Sequence, residues 1–318
     1  MPKKHTIQIA SVEEVRNRVK ELAGRNSEVH ARLGPILKGL WHPERRLASR
    51  IRLSVFDQLD RDFPHFAAVT EEFRLAAHIA NHNDLPFMPP KILLGGPPGL
   101  GKTVYTHALA EASKLFYREL SMPSVTSSFG ISGGDIQWGD GAPGFIAKTM
   151  SESPIGNPMI LLDEIDKISS GKYDPTGPLY TLLEDKTAAR FRDEALGFTL
   201  NASQIIWLAT ANDVGNIPAP ILDRFQLIEI PTPTEEQMVG VVKSIYAGIR
   251  KSQLGKLLSP RLPNETVQAL TAFHPREARK RLERGCRQAI RMNRYRVLLK
   301  DFESQDARSP HPRKIGFY

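Results

Sequence analysis

The sequence is short of cysteine and of long apolar runs, and each shortage excludes a class of protein. Its 318 residues include a single cysteine, Cys286, so an internal disulfide is excluded and a reducing compartment is favoured. No apolar run approaches the roughly 18 residues of a membrane-spanning helix, and the first residues lead into no apolar segment of a signal peptide. We therefore expect a cytoplasmic protein without a membrane partner.

Acidic residues are scarce mainly at the C-terminal end of the chain. Residues 276–318 hold 13 Lys and Arg against 5 Asp and Glu, which accounts for the whole net charge of +8. Such a basic end is typical of a nucleic-acid footprint, or of a solvated helix face that also meets nucleotide and neighbouring subunits. We favour the second interpretation, because few aromatic side chains interleave with the charges to stack on bases. The rest of the composition, 41% hydrophobic and 25% charged, predicts a folded globular protein.

The clearest motif is a glycine-rich stretch between an apolar run and a helical segment. The run from Ile92 to Leu94 predicts a short buried strand, and a helix is predicted to open at Gly101. Between them the sequence matches Gly-x-x-x-x-Gly-Lys-[Ser/Thr] at every position, which favours a phosphate-binding loop over an ordinary glycine turn. The predicted ATP-binding residues are Gly96, Pro97, Pro98, Gly99, Leu100, Gly101, Lys102 and Thr103.

Each part of this loop has a predicted task. The glycines let successive backbone N–H groups point inward at phosphate oxygens, where the start of the next helix adds partial positive charge. Lys102 is expected to reach the β- and γ-phosphates, and the Thr103 hydroxyl to hold Mg²⁺. The sequence therefore predicts a protein that binds a nucleoside triphosphate.

A second motif places two carboxylates at the end of a buried strand. The apolar residues 159–162 are followed by Asp163 and Glu164, about 60 residues after the glycine-rich loop. In parallel sheets, the carboxyl ends of the strands border the active site. Asp163 is therefore expected to hold Mg²⁺, directly or through water, and Glu164 to polarise an attacking water.

Other segments give weaker indications. A third buried strand, residues 205–210, precedes Asn212, which could hydrogen-bond water or a γ-phosphate or simply turn the chain. Residues 1 to about 60 read as helices, with a break at Gly34-Pro35, and serve either in oligomer or partner contacts or as a packed extension. Residues 121–144 form a polar, glycine-rich region around Trp138, and residues 234–292 are predicted helical.

The motifs together resemble an AAA+ ATPase module, and within that superfamily they are most similar to the ATPase part of Lon proteases. The resemblance covers roughly residues 60 to 295 and is carried by residues 96–103, 161–168 and 216–224 and by the spacing Arg276…Arg281…Cys286-Arg287. It implies an α/β fold: a P-loop AAA+ parallel five-stranded sheet flanked by helices at residues 63–232. It also implies a C-terminal helical lid at residues 233–318, with an N-terminal helical extension at residues 1–62.

The resemblance also implies roles for single residues, with ATP and Mg²⁺ as cofactors. Asn212 matches the sensor-1 position, and Arg224 matches the arginine finger that reaches the γ-phosphate bound by a neighbouring subunit of a homo-hexameric ring. Arg276 matches sensor 2, although His274-Pro275 stand before it where Lon has Gly and an apolar residue. Trp138 lies where Lon-like ATPases carry a pore residue that grips an extended polypeptide; the rival interpretation is that it packs on its own domain.

The expected function is that of a stand-alone Lon-like motor. The stretch after Met292 is far too short for the Lon protease domain, so ATP hydrolysis without peptidase activity is expected. Remodelling or unfolding of protein substrates is favoured by Trp138 and by the similarity to Lon. The basic C-terminal end favours the alternative, a nucleic-acid-associated motor or loader, and a slow nucleotide-dependent switch is the third possibility.

Overall fold

The computed structural model describes residues 5–22, 27–137, 141–168 and 174–303. The chain divides into two compact units. The first unit takes in the residues up to Leu59, Phe66–Pro98 and Lys102–Ile230. The second unit takes in Asp60–His65, Gly99–Gly101 and the residues from Pro231 onward.

The secondary structure alternates between strands and helices through most of the first unit. The strands are β1 (Thr6–Gln8), β2 (Glu44–Arg46), β3 (Ile92–Gly95), β4 (Tyr117–Ser121), β5 (Met159–Asp163), β6 (Phe191–Asp193), β7 (Phe198–Leu200), β8 (Ile206–Thr210) and β9 (Gln226–Glu229). The helices are α1 (Val12–Leu22), α2 (Ser27–Gly39), α3 (Ser54–Asp62), α4 (Ala67–Asn83), α5 (Lys102–Ser113), α6 (Phe129–Ser132), α7 (Phe145–Glu152), α8 (Thr176–Leu182), α9 (Asp185–Ala188), α10 (Ala219–Leu222), α11 (Glu235–Lys251), α12 (Asn264–Thr271), α13 (Pro275–Arg291) and α14 (Lys300–Glu303).

A five-stranded parallel sheet forms the centre of the first unit. Its strand order is β4-β5-β8-β3-β9, and every neighbouring pair is parallel. The three inner strands are continuous apolar runs because both of their faces are buried. Leu94 pairs with Thr210 and Leu162 with Ala209, so β3, β5 and β8 end at the same edge. The predicted fold, a parallel five-stranded sheet flanked by helices with a helical C-terminal region, is confirmed.

The N-terminal residues differ from the all-helical prediction. Strands β1 and β2 pair in antiparallel fashion, and single bridges join Ala10 to Leu200 and Arg46 to Ile155. Asn157, which is fully buried, accepts a hydrogen bond from the Ala48 backbone N–H and donates to the carbonyl oxygens of Ala48 and Phe87. Three-residue strands are too short to show a period of two in the sequence, so only these long-range partners define them. These contacts join the N-terminal residues to the rest of the first unit.

The predicted helix break at Gly34-Pro35 is wrong. Helix α2 runs from Ser27 to Gly39 with Pro35 inside it. A proline in a helix interior costs about 3 kcal/mol. Full burial of one large aliphatic side chain contributes about 1.5–3 kcal/mol, so the burial of several such side chains outweighs that cost. The buried side chains of this segment are Leu33, Ile36, Leu37 and Leu40.

The polar, glycine-rich region contributes side chains to the main core where the structure describes it, at residues 121–137 and 141–144. It includes the short helix α6 and buries Met122, Val125 and Ile131 in the main core. Within the second unit, α11 to α13 enclose a separate core that includes Cys286. Burial raises the pKa of that thiol to about 12, so Cys286 is a core residue rather than a reactive one. No helix in the described part of the chain is long and apolar enough to cross a membrane.

Candidate active site

The glycine-rich loop connects β3 to α5 with a backbone that side chains rarely adopt. Gly96, Gly99 and Gly101 have φ values of 133°, 91° and 94°. A Cβ added at Gly101 would meet no atom within 4 Å, so backbone conformation rather than crowding requires glycine there. Successive residues in such a conformation turn their N–H groups toward one concave side, which suits an anion.

Lys102 ties the loop to the end of β8. Its ammonium donates to the carbonyl oxygens of Gly96 and Pro97 at 2.5 and 3.1 Å and to Asn212 Oδ1 at 3.0 Å. Burial lowers the pKa of Lys102, and the nearby carboxylates of Asp166, Asp163 and Glu164 oppose that shift. The structure thus brings together the lysine of the loop and the asparagine that the sequence proposed from a separate strand.

Thr103, Asp163 and Thr210 form a hydrogen-bonded group at the shared edge of β5 and β8. The Thr103 hydroxyl donates to Asp163 Oδ1 at 2.9 Å, and the Thr210 hydroxyl donates to the same oxygen at 2.7 Å. A hydroxyl beside a carboxylate is the oxygen donor set that Mg²⁺ takes in phosphate-binding sites. The residues present therefore fit a Mg²⁺ ion at Thr103 and Asp163.

Glu164 occupies an unusual backbone position directly after β5. Its φ of 55° lies in the left-handed region, although it is not a glycine. Its backbone N–H donates to the Thr210 hydroxyl at 2.9 Å, which fixes the turn. Left-handed residues of this kind cost about 1–3 kcal/mol and persist where the surrounding structure holds them, often at functional sites.

Asp166 lies just beyond this turn with its side chain fully buried. The Asp213 backbone N–H donates to Asp166 Oδ2 at 3.3 Å, which connects the residues after β5 to those after β8. Its other oxygen, Oδ1, is buried and accepts no hydrogen bond from the described residues. The sequence analysis missed Asp166 and Thr210. A polar residue closing the buried run 205–210 was the available signal for Thr210.

The contacts of Arg224 and Arg276 involve residues other than Thr103, Asp163 and Thr210. Arg224 donates to the Pro220 carbonyl and lies 5.9 Å from the ring centre of Tyr180. Within the second unit, the Arg276 backbone N–H donates to the Gly99 carbonyl at 3.2 Å. Trp138 lies outside the described residues.

The part of the chain that contains the parallel sheet and this group of residues is similar to a known protein family. Residues 92–232 match the family described as "ATPase family associated with various cellular activities (AAA)". This part of the chain is similar to AAA ATPase domains. The matched range includes the loop lysine, Asp163, Glu164 and Asn212, so the residues joined at the sheet edge all lie within the region of similarity.

The relatives that match by sequence are Lon proteases. The chain is 35% identical over 167 residues to Lon protease of Mycoplasmopsis agalactiae, which is 52% of this chain and 17% of that protein. It is 29% identical over 221 residues to Lon protease of Campylobacter jejuni, or 67% of this chain and 27% of that one. The resemblance to the ATPase part of Lon is therefore confirmed, and the chain spans about a quarter or less of these relatives' length.

A solved structure has the same fold. The RuvB Holliday junction branch migration motor of Thermotoga maritima matches with a TM-score of 0.50 and 16% identity, over 74% of this chain and 66% of that one. At this identity the match shows the AAA fold alone.

Proposed function

We propose that this chain is a Mg²⁺-dependent ATPase that works in a homo-oligomeric ring and remodels or unfolds protein substrates. The observation that carries the ATPase part is the meeting of Lys102 with Asn212 and of Thr103 with Asp163 at one sheet edge. Residues from the start of α5, the end of β5 and the segment after β8 converge there beside a loop whose N–H groups suit phosphate. The division at residues 62/63 and 232/233 into extension, nucleotide-binding part and lid belongs to the same proposal.

ATP binding falls to the loop and to Lys102. The triphosphate would occupy the concave side of residues 96–103, where Lys102 exchanges its loop carbonyl partners for phosphate oxygens. Thr103 and Asp163 would hold Mg²⁺, which when bound neutralises charge between the β- and γ-phosphates. Thr210 holds the Asp163 carboxylate in place from the neighbouring strand.

Hydrolysis requires a residue that orients water, and we assign this role to Glu164. Its left-handed backbone turns the chain after Asp163, so the two neighbouring carboxylates take up separate positions. Asn212 would hold the water or the γ-phosphate from the end of β8 while it keeps Lys102 in place. Arg276, whose backbone N–H donates to the Gly99 carbonyl, is assigned the sensor-2 role on its match to the Lon motif.

Two variants test the ATPase assignment. Lys102→Ala should abolish nucleotide binding, because the loop loses its cation. Glu164→Gln should bind a fluorescent ATP analogue as wild type does and fail to turn ATP over, because the Mg²⁺ ligands remain. Near-wild-type phosphate release by purified Glu164→Gln protein would refute the role of Glu164.

Arg224 supports the ring part of the proposal. Its described contacts are with its own helix and Tyr180, which leaves the guanidinium for a nucleotide held by a neighbouring subunit. Arginine fingers contribute about 10³–10⁵ in rate, so Arg224→Ala should bind ATP and lose hydrolysis. Mixing it with Lys102→Ala subunits should restore part of the activity, since some interfaces then pair an intact site with an intact finger. Mixed rings that stay inactive would place Arg224 in its own subunit's site.

The proposed substrate of this ATPase is a protein. Similarity to the ATPase part of Lon proteases supports an extended polypeptide as substrate, with Trp138 as the residue that grips it. Trp138→Ala should leave basal hydrolysis unchanged and remove its stimulation by an unfolded protein. A variant that is stimulated as well as wild type would contradict the threading of a polypeptide past Trp138.

A further inference from the structure

Helix α13 carries a row of cations along one exposed face. Lys280, Arg284, Arg287 and Arg291 follow one another at intervals of four, three and four residues, and all four are exposed. At 3.6 residues per turn, this spacing places them within a sector of about 60° around the helix axis. The sequence showed only that the C-terminal end is basic; the helix arranges four of the charges as a straight row.

The opposite side of the helix fixes the direction of this row. Ala278, Leu282, Cys286 and Ala289 are buried in the core of the second unit. Because the core holds one side of α13, the cationic row cannot rotate away from solvent without loss of that packing. From Lys280 to Arg291 the row extends about 16 Å at 1.5 Å per residue.

The acidic residues of α13 do not neutralise the row. Glu283 accepts from Arg279 Nε at 3.0 Å, and Glu277 accepts from Arg281 Nε at 3.0 Å. Both of these arginines lie to the sides, about 100° from Lys280 around the axis. Within the part of the chain that the structure describes, the four cations of the row form no ion pair. The helix therefore pairs its carboxylates with lateral cations and leaves the central row free.

The kind of partner follows from what the row offers. Three of the four cations are arginines, whose planar fork suits phosphate oxygens. No large apolar side chain is exposed between Lys280 and Arg291, whereas protein interfaces rely on buried aromatic or apolar anchors. Duplex DNA carries one negative charge per about 1.7 Å of axis, so a 16 Å row faces more phosphates than it has cations.

We propose that the exposed face of α13 formed by Lys280, Arg284, Arg287 and Arg291 binds the phosphate backbone of a nucleic-acid duplex without reading its sequence. Contacts to phosphate oxygens fix the position of a protein on a duplex and carry no sequence information directly. This inference is independent of the ATPase assignment, since none of the four residues belongs to the candidate active site.

The test is duplex binding as a function of salt. Full-length protein is titrated into a labelled 30-base-pair DNA duplex at several salt concentrations, and fluorescence anisotropy gives Kd. Four phosphate contacts predict a slope of log K against log salt of about −3.6. Each contact removed should make the slope less steep by about 0.9. Arg284→Gln with Arg287→Gln should therefore weaken binding about 60-fold at 0.1 M salt.

Two further proteins separate the row from net charge and from misfolding. Lys251→Gln with Lys256→Gln removes the same charge from exposed residues of the second unit outside α13, and should leave Kd and slope unchanged. Arg284→Lys with Arg287→Lys keeps the charge and should retain most of the binding. Thermal unfolding is compared for all variants.

Three results would overturn the proposal. One is a wild-type protein that does not bind the duplex at 50 mM salt. Another is an equal loss in the α13 variant and in the Lys251/Lys256 control, which would indicate net charge alone. The last is tighter binding to a poly-glutamate peptide of matched charge than to the duplex, which would assign the face to an acidic protein.

Discussion

The buried carboxylate of Asp193 gives a prediction whose size follows from the structure. Asp193, at the end of β6, is fully buried, and its two oxygens accept from the backbone N–H groups of Gly144 and Leu196, both at 2.9 Å. A Cβ added at Gly133 would lie 2.8 Å from Asp193 Oδ1. The Asp193 side chain thus binds the Gly144 backbone and lies close to Gly133, where it leaves no room for a Cβ.

Burial raises the pKa of Asp193 to about 6, and the backbone N–H bonds only partly offset this rise. In the unfolded chain the same group titrates near 3.9. Between these two pH values the folded protein keeps a proton that the unfolded chain has lost. The stabilising contribution is therefore full below about pH 4 and is lost as the pH rises through 6, by about 3 kcal/mol.

Asp193→Asn removes this titration. At pH 4 the amide resembles the protonated carboxyl of the wild type. At pH 7 the variant avoids the cost of a buried negative charge. At both pH values its single oxygen accepts only one of the two backbone N–H bonds. Whatever the constant cost of that lost bond, the stability of the variant relative to wild type should rise by about 2 kcal/mol from pH 4 to pH 7.

Urea unfolding followed by tryptophan fluorescence measures this difference. All three tryptophans precede residue 231, so the signal reports on the first unit. The same substitution at the exposed Asp223 provides the matched control for loss of a carboxyl at the surface. If the Asp193→Asn curve runs parallel to wild type, the carboxyl titrates normally and the reasoning from burial is wrong.

Three further predictions concern other contacts. Thr210→Val removes one hydrogen bond to Asp163 and one from the Glu164 backbone. ATPase turnover should therefore fall 10- to 100-fold, and a higher Mg²⁺ concentration should be needed for half-maximal activity; an unchanged Mg²⁺ dependence of the ATPase rate would contradict this. Asn157→Ala removes the side-chain partner of the Ala48 N–H and of the Phe87 carbonyl, while the Ala48 carbonyl keeps the Phe87 N–H, and it should lower the free energy of unfolding in urea by about 2 kcal/mol; a loss under 1 kcal/mol would show that water replaces the side chain. Gly248→Ala, where an added Cβ meets nothing within 4 Å, should stabilise α11 by about 0.5–1 kcal/mol, and a lower melting temperature would refute the open site.

Charge placement in α13 shows how sequence and structure divide the information. From the sequence we favoured a solvated helix face over a nucleic-acid footprint, because a count of charges does not say which of them share a face. The burial of Leu282 and Cys286 fixes which side of the helix faces solvent. On that side the helical period separates the row of four cations from the two arginines that pair with Glu277 and Glu283. The interpretation of the basic C-terminal end changes because the arrangement of the cationic side chains on one face, and not only their number, decides what the surface can bind.

The sequence alone determined the phosphate loop and the inner strands. Gly99 and Gly101 indicate positions of positive φ, which the turn itself requires. Apolar runs such as residues 159–162 indicate strands that are buried on both faces. These features depend on neighbours in the chain, so they can be read from a few consecutive residues. The capping box at Thr234 and Gln237 was predictable for the same reason.

Only the tertiary structure decided the rest. Thr103, Asp163 and Thr210 come from three segments spread over about a hundred residues, and their hydrogen bonds exist because parallel strands end at one edge. The short strands β1 and β2, and the helix that continues through Pro35, are likewise held by distant partners that outweigh local preference. Local rules fix what one segment can form, whereas packing between segments adds free energies of several kcal/mol that local preference does not contain.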